Sequence, residues 1–185
     1  MKPALIVVGL GNPGKQYVHT RHNAGFKALD ALSEKYGTGE WQEKQKFLAH
    51  IQEARILAAP LLLVKPTTYM NLSGDCVRKL IDFYKVDPAA QLLILCDEID
   101  ISLGEVRLRM NGGPGTHNGL RSLVATLGEG FPRIRIGVGK PVTGIDLAAY
   151  VLSVPPEEER KILDDEIGTV PGMVEKFVLE HPAEH

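Results

Sequence analysis

Leu5–Leu10 is an unbroken apolar run that ends in Gly11-Asn12-Pro13-Gly14. A run of that length closed by turn residues predicts a strand buried on both faces. In Ala24–Tyr36 the apolar positions Phe26, Leu29, Leu32 and Tyr36 recur at helical spacing, and Gly37 supplies a stop. Phe47–Ile51 and Ala54–Val64 read as extended segments forming an antiparallel pair, with Pro66 ending the second. Val77, Leu80, Ile81 and Tyr84 follow the i, i+3, i+4, i+7 pattern of a helix facing a core. Leu92–Cys96 predicts another buried strand, with Asp97 just beyond its carboxyl end. Val106, Leu108 and Met110 alternate with Glu105, Arg107 and Arg109, as in a half-exposed strand. Leu120, Leu123, Val124 and Leu127 mark a further helix closed by Gly128, and Arg133–Val138 alternates again. Pro155-Pro156 precedes an acidic helix over Glu157–Ile167, and Pro171 opens or interrupts a last, weakly helical stretch.

Strands alternating with helices predict an α/β fold around a mixed sheet, one domain over residues 1–185. The composition, 44% apolar and 24% charged, supports a packed core and excludes wholesale disorder. No stretch approaches the roughly 18 to 20 apolar residues of a membrane span. Met1-Lys2-Pro3-Ala4 runs into too short an apolar segment for a secretory leader, so the expected location is cytoplasmic. Cys76 and Cys96 form no CxxC, which argues against a disulfide scaffold or structural zinc. The net charge of −2 hides an asymmetry: Glu105–Lys140 carries six basic and two acidic residues, whereas 141–185 carries ten acidic and three basic. A polyanionic partner is therefore compatible with the total, although ordinary surface charge explains it as well.

Ligands of such sheets sit beyond the carboxyl ends of strands. The chemistry-bearing residues fall in loops placed there. Gly9-Leu10-Gly11-Asn12-Pro13-Gly14 fits the GxGxxG of dinucleotide binding. Pro13-Gly14-Lys15 reads as a tight turn rather than a helix start, and Asp30 falls inside a helix rather than ending a second strand, so that reading is set aside. His22 lies at a helix start, where the dipole disfavours imidazolium and keeps the ring able to accept a proton. Asn71 offers both donors and an acceptor. Tyr69 and Met70 form either an apolar shelf or core, and Ser73 reads as a helix cap. Asp97, after its strand, fits the orienting partner of a histidine better than a metal ligand, since no HExxH and no phosphate-binding loop accompanies it. Gly112–Leu120 is a glycine-rich loop ending in His117-Asn118. It reads as an anion cradle or as a turn capped by Asn118. No convincing nucleophile is present, which favours water activated by histidine over covalent catalysis.

Five segments in this order resemble one family: Gly9–Gly14, Tyr17–Gly25, Lys65–Gly74, Leu95–Asp100 and Gly115–Leu120 are similar to bacterial peptidyl-tRNA hydrolase. The resemblance runs over about Leu5 to Leu152. It implies a single-domain α/β fold with a twisted mixed sheet flanked by helices, and hydrolysis of the ester joining a peptide to the 3′ ribose of tRNA, without metal or cofactor. It implies His22 as general base, Asp97 as its orienting partner and Asn12 beside the scissile ester. Tyr17, Tyr69, Met70, Asn71, His117 and Asn118 would contact substrate or water, and Arg109 and Arg135 would contact tRNA phosphate. The partner is then peptidyl-tRNA, and the working unit a cytoplasmic monomer. Two positions depart from the pattern: Thr116 replaces a common glycine, and the stretch around Gly168 and Pro171 looks less helical than usual. A non-catalytic RNA-binding relative is the alternative.

Overall fold

A computed structural model describes residues 2–182, so Met1 and 183–185 of the expected domain lie outside the described residues. One seven-stranded mixed sheet organises the chain, flanked on both faces by helices. Its strands are β1 (Leu5–Gly9), β2 (Gln42–Lys44), β3 (Ala49–Ile56), β4 (Ala59–Pro66), β5 (Leu92–Glu98), β6 (Val106–Arg109) and β7 (Arg133–Gly137), in the order β2-β3-β4-β1-β5-β7-β6. The central β4, β1, β5 and β7 are parallel, and antiparallel strands close both edges.

The unbroken apolar run of β1 follows from this position. Leu5 and Val7 face one layer, Ile6 and Val8 the other, and all are buried. On the first face lie α1 (Ala24–Tyr36), α6 (Glu157–Ile167) and α7 (Val170–Glu180); on the second lie α2 (Ser73–Tyr84) and α4 (Asn118–Leu127). Two short helices, α3 (Pro88–Gln91) and α5 (Leu147–Val151), complete the set.

Several local expectations need correction. Ala54–Val64 is not one strand. β3 runs on to Ile56 and turns at Leu57-Ala58 into β4, with Ile56 facing Ala59. No Gly, Asn or Pro marks that turn, because Leu57 itself takes the left-handed conformation (φ 53°). Phe47 belongs to a 3₁₀ turn (Gln45–Phe47) rather than a strand. Ser73 caps nothing: it is the first residue of α2, and its Oγ donates back to the Met70 carbonyl at 2.7 Å. The weakly helical carboxy-terminal stretch is a full helix, α7, with Pro171 in its first turn where the missing N–H leaves no bond unmade.

β1 sends its chain one way to β4 and, after α2, the chain returns to β5 on the other side. The carboxyl ends of β1 and β5 therefore form a topological switch point. The start of α1 is pressed onto this point by two glycines. A Cβ on Gly25 would strike the carbonyls of Leu10 and Leu95, and one on Gly9 would lie 2.5 Å from the Gly25 carbonyl. Only hydrogen fits between helix and strands, so the turn leading into α1 is held by backbone on backbone.

Candidate active site

The turn so held is Arg21–Asn23, one 3₁₀ turn before α1, and it carries His22. Asp97 reaches the same place from β5. It lies inside that strand rather than beyond it, opposite Ile136 of β7. His22 Nδ1 stands 3.0 and 2.9 Å from the two Asp97 oxygens, and His117 Nε2 stands 2.8 Å from Oδ1. The imidazole rings lie 4.7 Å apart, tilted by 51°. An ionised carboxylate only accepts hydrogen bonds, so both facing ring nitrogens carry protons.

This assignment separates the two histidines. His117 Nδ1 accepts from the Leu120 N–H at 3.2 Å, which makes His117, not Asn118, the cap of α4. Both nitrogens of that ring are therefore occupied. His22 Nε2 has no hydrogen-bond partner among the described residues, and the residue lines two adjoining cavities. Burial pulls the His22 pKa down, but the charge and hydrogen bond of Asp97 outweigh it and leave the ring above its ordinary 6.5. Burial pushes Asp97 up, yet the two imidazoles hold its carboxyl well below the usual carboxylate range.

The asparagines are oriented just as narrowly. Asn12 Oδ1 accepts from the Met70 N–H at 2.8 Å, which leaves Nδ2 as the free donor. The Asn12 backbone is clasped by Asn23, whose Oδ1 accepts from the Asn12 N–H at 2.9 Å and whose Nδ2 donates to its carbonyl at 3.0 Å. Asn23 stood in the motif without a role. Its place directly after His22 was the available signal. Asn12, His22, Tyr69, Met70, Asn71 and Asn118 line one cavity of about 220 Å³. His22, Asp97, His117 and Asn118 line its neighbour of about 210 Å³, with Glu98, Thr116 and Arg121.

Helix α5 covers both cavities through Ala148 and Val151, a wall that no sequence pattern announced. Asp146 caps it by accepting from Ala149 N–H. Buried Arg21 ties it down, donating to the Tyr150 carbonyl, Ser153 Oγ and Glu159, with its guanidinium 4.1 Å from the centre of the Tyr150 ring.

Three of the expected residues stand apart. Tyr17 is half-buried in a 3₁₀ turn and lines neither cavity. Arg109 and Arg135 lie on the β6–β7 edge. The register sets Arg107 opposite Arg135 and Arg109 opposite Arg133, so the pleat brings all four arginines to one face. Arg133 is buried and donates to the carbonyls of Gly112, Gly113, Glu129 and Phe131, pinning the glycine-rich loop to the sheet.

His22, Asp97 and His117 also place donor atoms within 4.8 Å of one another, the distance range of a metal cluster. The hydrogen bonds do not suit one. A cation bound to Nε2 of His117 would move that ring's proton to Nδ1 and break the helix cap at Leu120.

Comparison with known proteins extends the resemblance to the whole chain. The family model described as "Peptidyl-tRNA hydrolase" matches residues 6–184. A peptidyl-tRNA hydrolase of Chloroflexus aggregans is 45% identical over 176 residues, covering 95% of this chain and 93% of the relative. One of Carboxydothermus hydrogenoformans is 45% identical over 160 residues, covering 86% and 83%. The crystal structure of peptidyl-tRNA hydrolase from Acinetobacter baumannii superposes with a TM-score of 0.83 at 35% identity, covering 100% of this chain and 97% of that one. A crystal structure of a peptidyl-tRNA hydrolase complexed with N-propanol gives 0.89 at 38% identity, covering 97% and 90%. With sequence, fold and a carboxylate-braced histidine in agreement, this chain belongs to the peptidyl-tRNA hydrolase family.

Proposed function

We propose that this chain hydrolyses the ester between the peptide carboxyl group and the 3′ ribose of tRNA in peptidyl-tRNA, with His22 as general base. The observation that carries the reading is the asymmetry around Asp97: one imidazole is fully engaged, the other keeps a free Nε2 and lines a cleft of side-chain amides. Water positioned by Asn118 gives its proton to Nε2 as its oxygen attacks the ester carbonyl. Asp97 holds the His22 tautomer and stabilises the imidazolium that forms. The Asn12 amide, whose Nδ2 is left without a partner, donates to the developing oxyanion, an interaction worth about 3 kcal/mol in favourable cases. The tetrahedral intermediate collapses when the imidazolium returns its proton to the departing 3′ oxygen. The products are a free peptide carboxylate and tRNA.

Asn71, Tyr69 and Met70 form the wall that meets the last peptide residue. His117 acts beside them through Asp97. Arg109 and Arg135 meet tRNA phosphate on the shared arginine face, contacts that orient without reading sequence. Tyr17 keeps a supporting part, since its carbonyl accepts from the Thr20 N–H at 3.1 Å and fixes the turn before His22. One copy holds the entire set, so the proposed working unit is a monomer, and its proposed location is the cytoplasm, where peptidyl-tRNA arises.

Release of labelled peptide from an N-acetylated aminoacyl-tRNA tests the reading. His22→Ala is expected to lower turnover by about 10²- to 10⁴-fold while tRNA binding persists. Near-normal turnover in that variant would overturn it.

A further inference from the structure

Helix α5 forms one wall of the cleft, yet nothing in its own sequence holds it there. It has five residues, far fewer than a helix needs to persist by itself. None of them is buried, and the chain from Val142 to Ala149 is exposed throughout. Hydrophobic burial therefore does not fix the position of Ala148 and Val151, which line both cavities. Polar contacts do, and most of them come from one residue.

That residue is Arg21, directly before His22 and 6% exposed. Its backbone N–H donates to the Ser153 carbonyl at 3.2 Å. One guanidinium nitrogen donates to the Tyr150 carbonyl at 3.3 Å and to Ser153 Oγ, and the other donates to Glu159 of α6 at 2.8 Å. The same guanidinium lies over the Tyr150 ring, whose hydroxyl donates to the Val138 carbonyl just past β7 at 2.8 Å. A lysine ammonium in that place could not span three acceptors and a ring at once. The base is held by other means. Asp97 fixes the His22 ring, and the close approach of Gly9 and Gly25 fixes the start of α1. The Arg21 side chain takes part in neither, so it acts on the wall and not on the imidazole.

We propose that Arg21 is a positioning residue that sets α5 against the bound ester through its fork on Tyr150, Ser153 and Glu159. The inference rests on the hydrolase reading and adds to it a residue that governs substrate contact without touching substrate.

The test uses Arg21→Lys and, because that change adjoins the base, Glu159→Ala on the half-exposed face of α6 as a second variant. Arg21→Lys is expected to raise KM for an N-acetylated aminoacyl-tRNA by about five- to tenfold, the size of one lost charge-assisted hydrogen bond. Its kcat should stay within about twofold and the pH midpoint of kcat/KM should not move, as for an interaction made equally in ground and transition states. Glu159→Ala should raise KM in the same direction by about two- to threefold. Deuterium uptake over residues 146–153 should rise in both variants while uptake in α1 is unchanged. A fall in kcat with a shifted pH midpoint overturns the proposal, because Arg21 would then act on His22. A lower melting temperature with unchanged KM and unchanged uptake over 146–153 overturns it as well, leaving Arg21 a purely structural role. Failure of the unaltered protein to hydrolyse the ester removes the hydrolase reading, and the deuterium comparison then decides by itself whether Arg21 holds the wall.

Discussion

Two carboxyl groups are almost equally hidden from solvent, Asp97 at 2% exposure and Glu166 at 3%, and their surroundings send them in opposite directions. Asp97 receives N–H donors from two imidazoles. Glu166, on α6, receives one backbone N–H, from Gly104, while its Oε1 has no partner among the described residues. Burial disfavours the charge in both. At Asp97 the imidazoles win and the carboxylate persists. At Glu166 burial wins, and the carboxyl is pushed up to about 8. Exclusion of solvent alone decides neither case; the number and kind of donors does.

The sharpest way to break this contrast is to blunt Asp97. Asp97→Asn keeps the shape but replaces an acceptor pair with an amide that no longer fixes the His22 tautomer, and kcat/KM should fall by about 10³- to 10⁴-fold with the fold intact by circular dichroism. The pH profile carries the same information. His22 must be neutral to accept a proton and its pKa is raised, so kcat/KM rises with pH through a midpoint above 6.5. Any residual activity of the Asn variant should show that midpoint shifted downward. An unshifted midpoint would mean that Asp97 does not govern the ring.

Glu166 predicts a smaller effect, in stability. In the unfolded chain it ionises near 4.5, and in the folded chain it keeps its proton to about 8. Between these values the unfolded state binds fewer protons, so this group's contribution falls as pH rises and levels off above 8. Glu166→Gln removes that slope and should add about 1 to 3 kcal/mol near pH 8 with little change near pH 4.5. Urea titrations of both proteins at the two pH values measure it. Parallel slopes would sink the assignment.

The smallest effect concerns His117. Its removal as a cap in His117→Ala should cost about 1 kcal/mol, whereas His117→Asn, which restores a capping acceptor, should recover most of it. Thermal melts of the pair distinguish capping from simple loss of packing.

Much of this architecture was legible along the chain, for identifiable reasons. The bounds of α1 were readable because the apolar stripe and Gly37 coincide, with the Gly37 N–H closing on the Ser33 carbonyl. The hairpin at Leu57 was not, since the left-handed residue is a leucine. The short edge strand β2 is polar and exposed, so it has no alternation to read. The motifs named His22, Asp97, Asn12, Asn71 and Asn118, but their convergence depends on strand order, which periodicity does not encode. The roof over the cleft was invisible because α5 has five residues and is held from outside by Arg21, a contact across 132 positions to Ser153.

One bond ties the site to the secondary structure beside it. The Leu120 amide is held by the ring that also serves Asp97. Its solvent exchange is therefore a local gauge of the cleft: whatever rotates His117 away from the carboxylate also frees that proton. Deuterium uptake at Leu120, followed while substrate analogues fill the cleft, would time the motions of the centre without any label placed inside it.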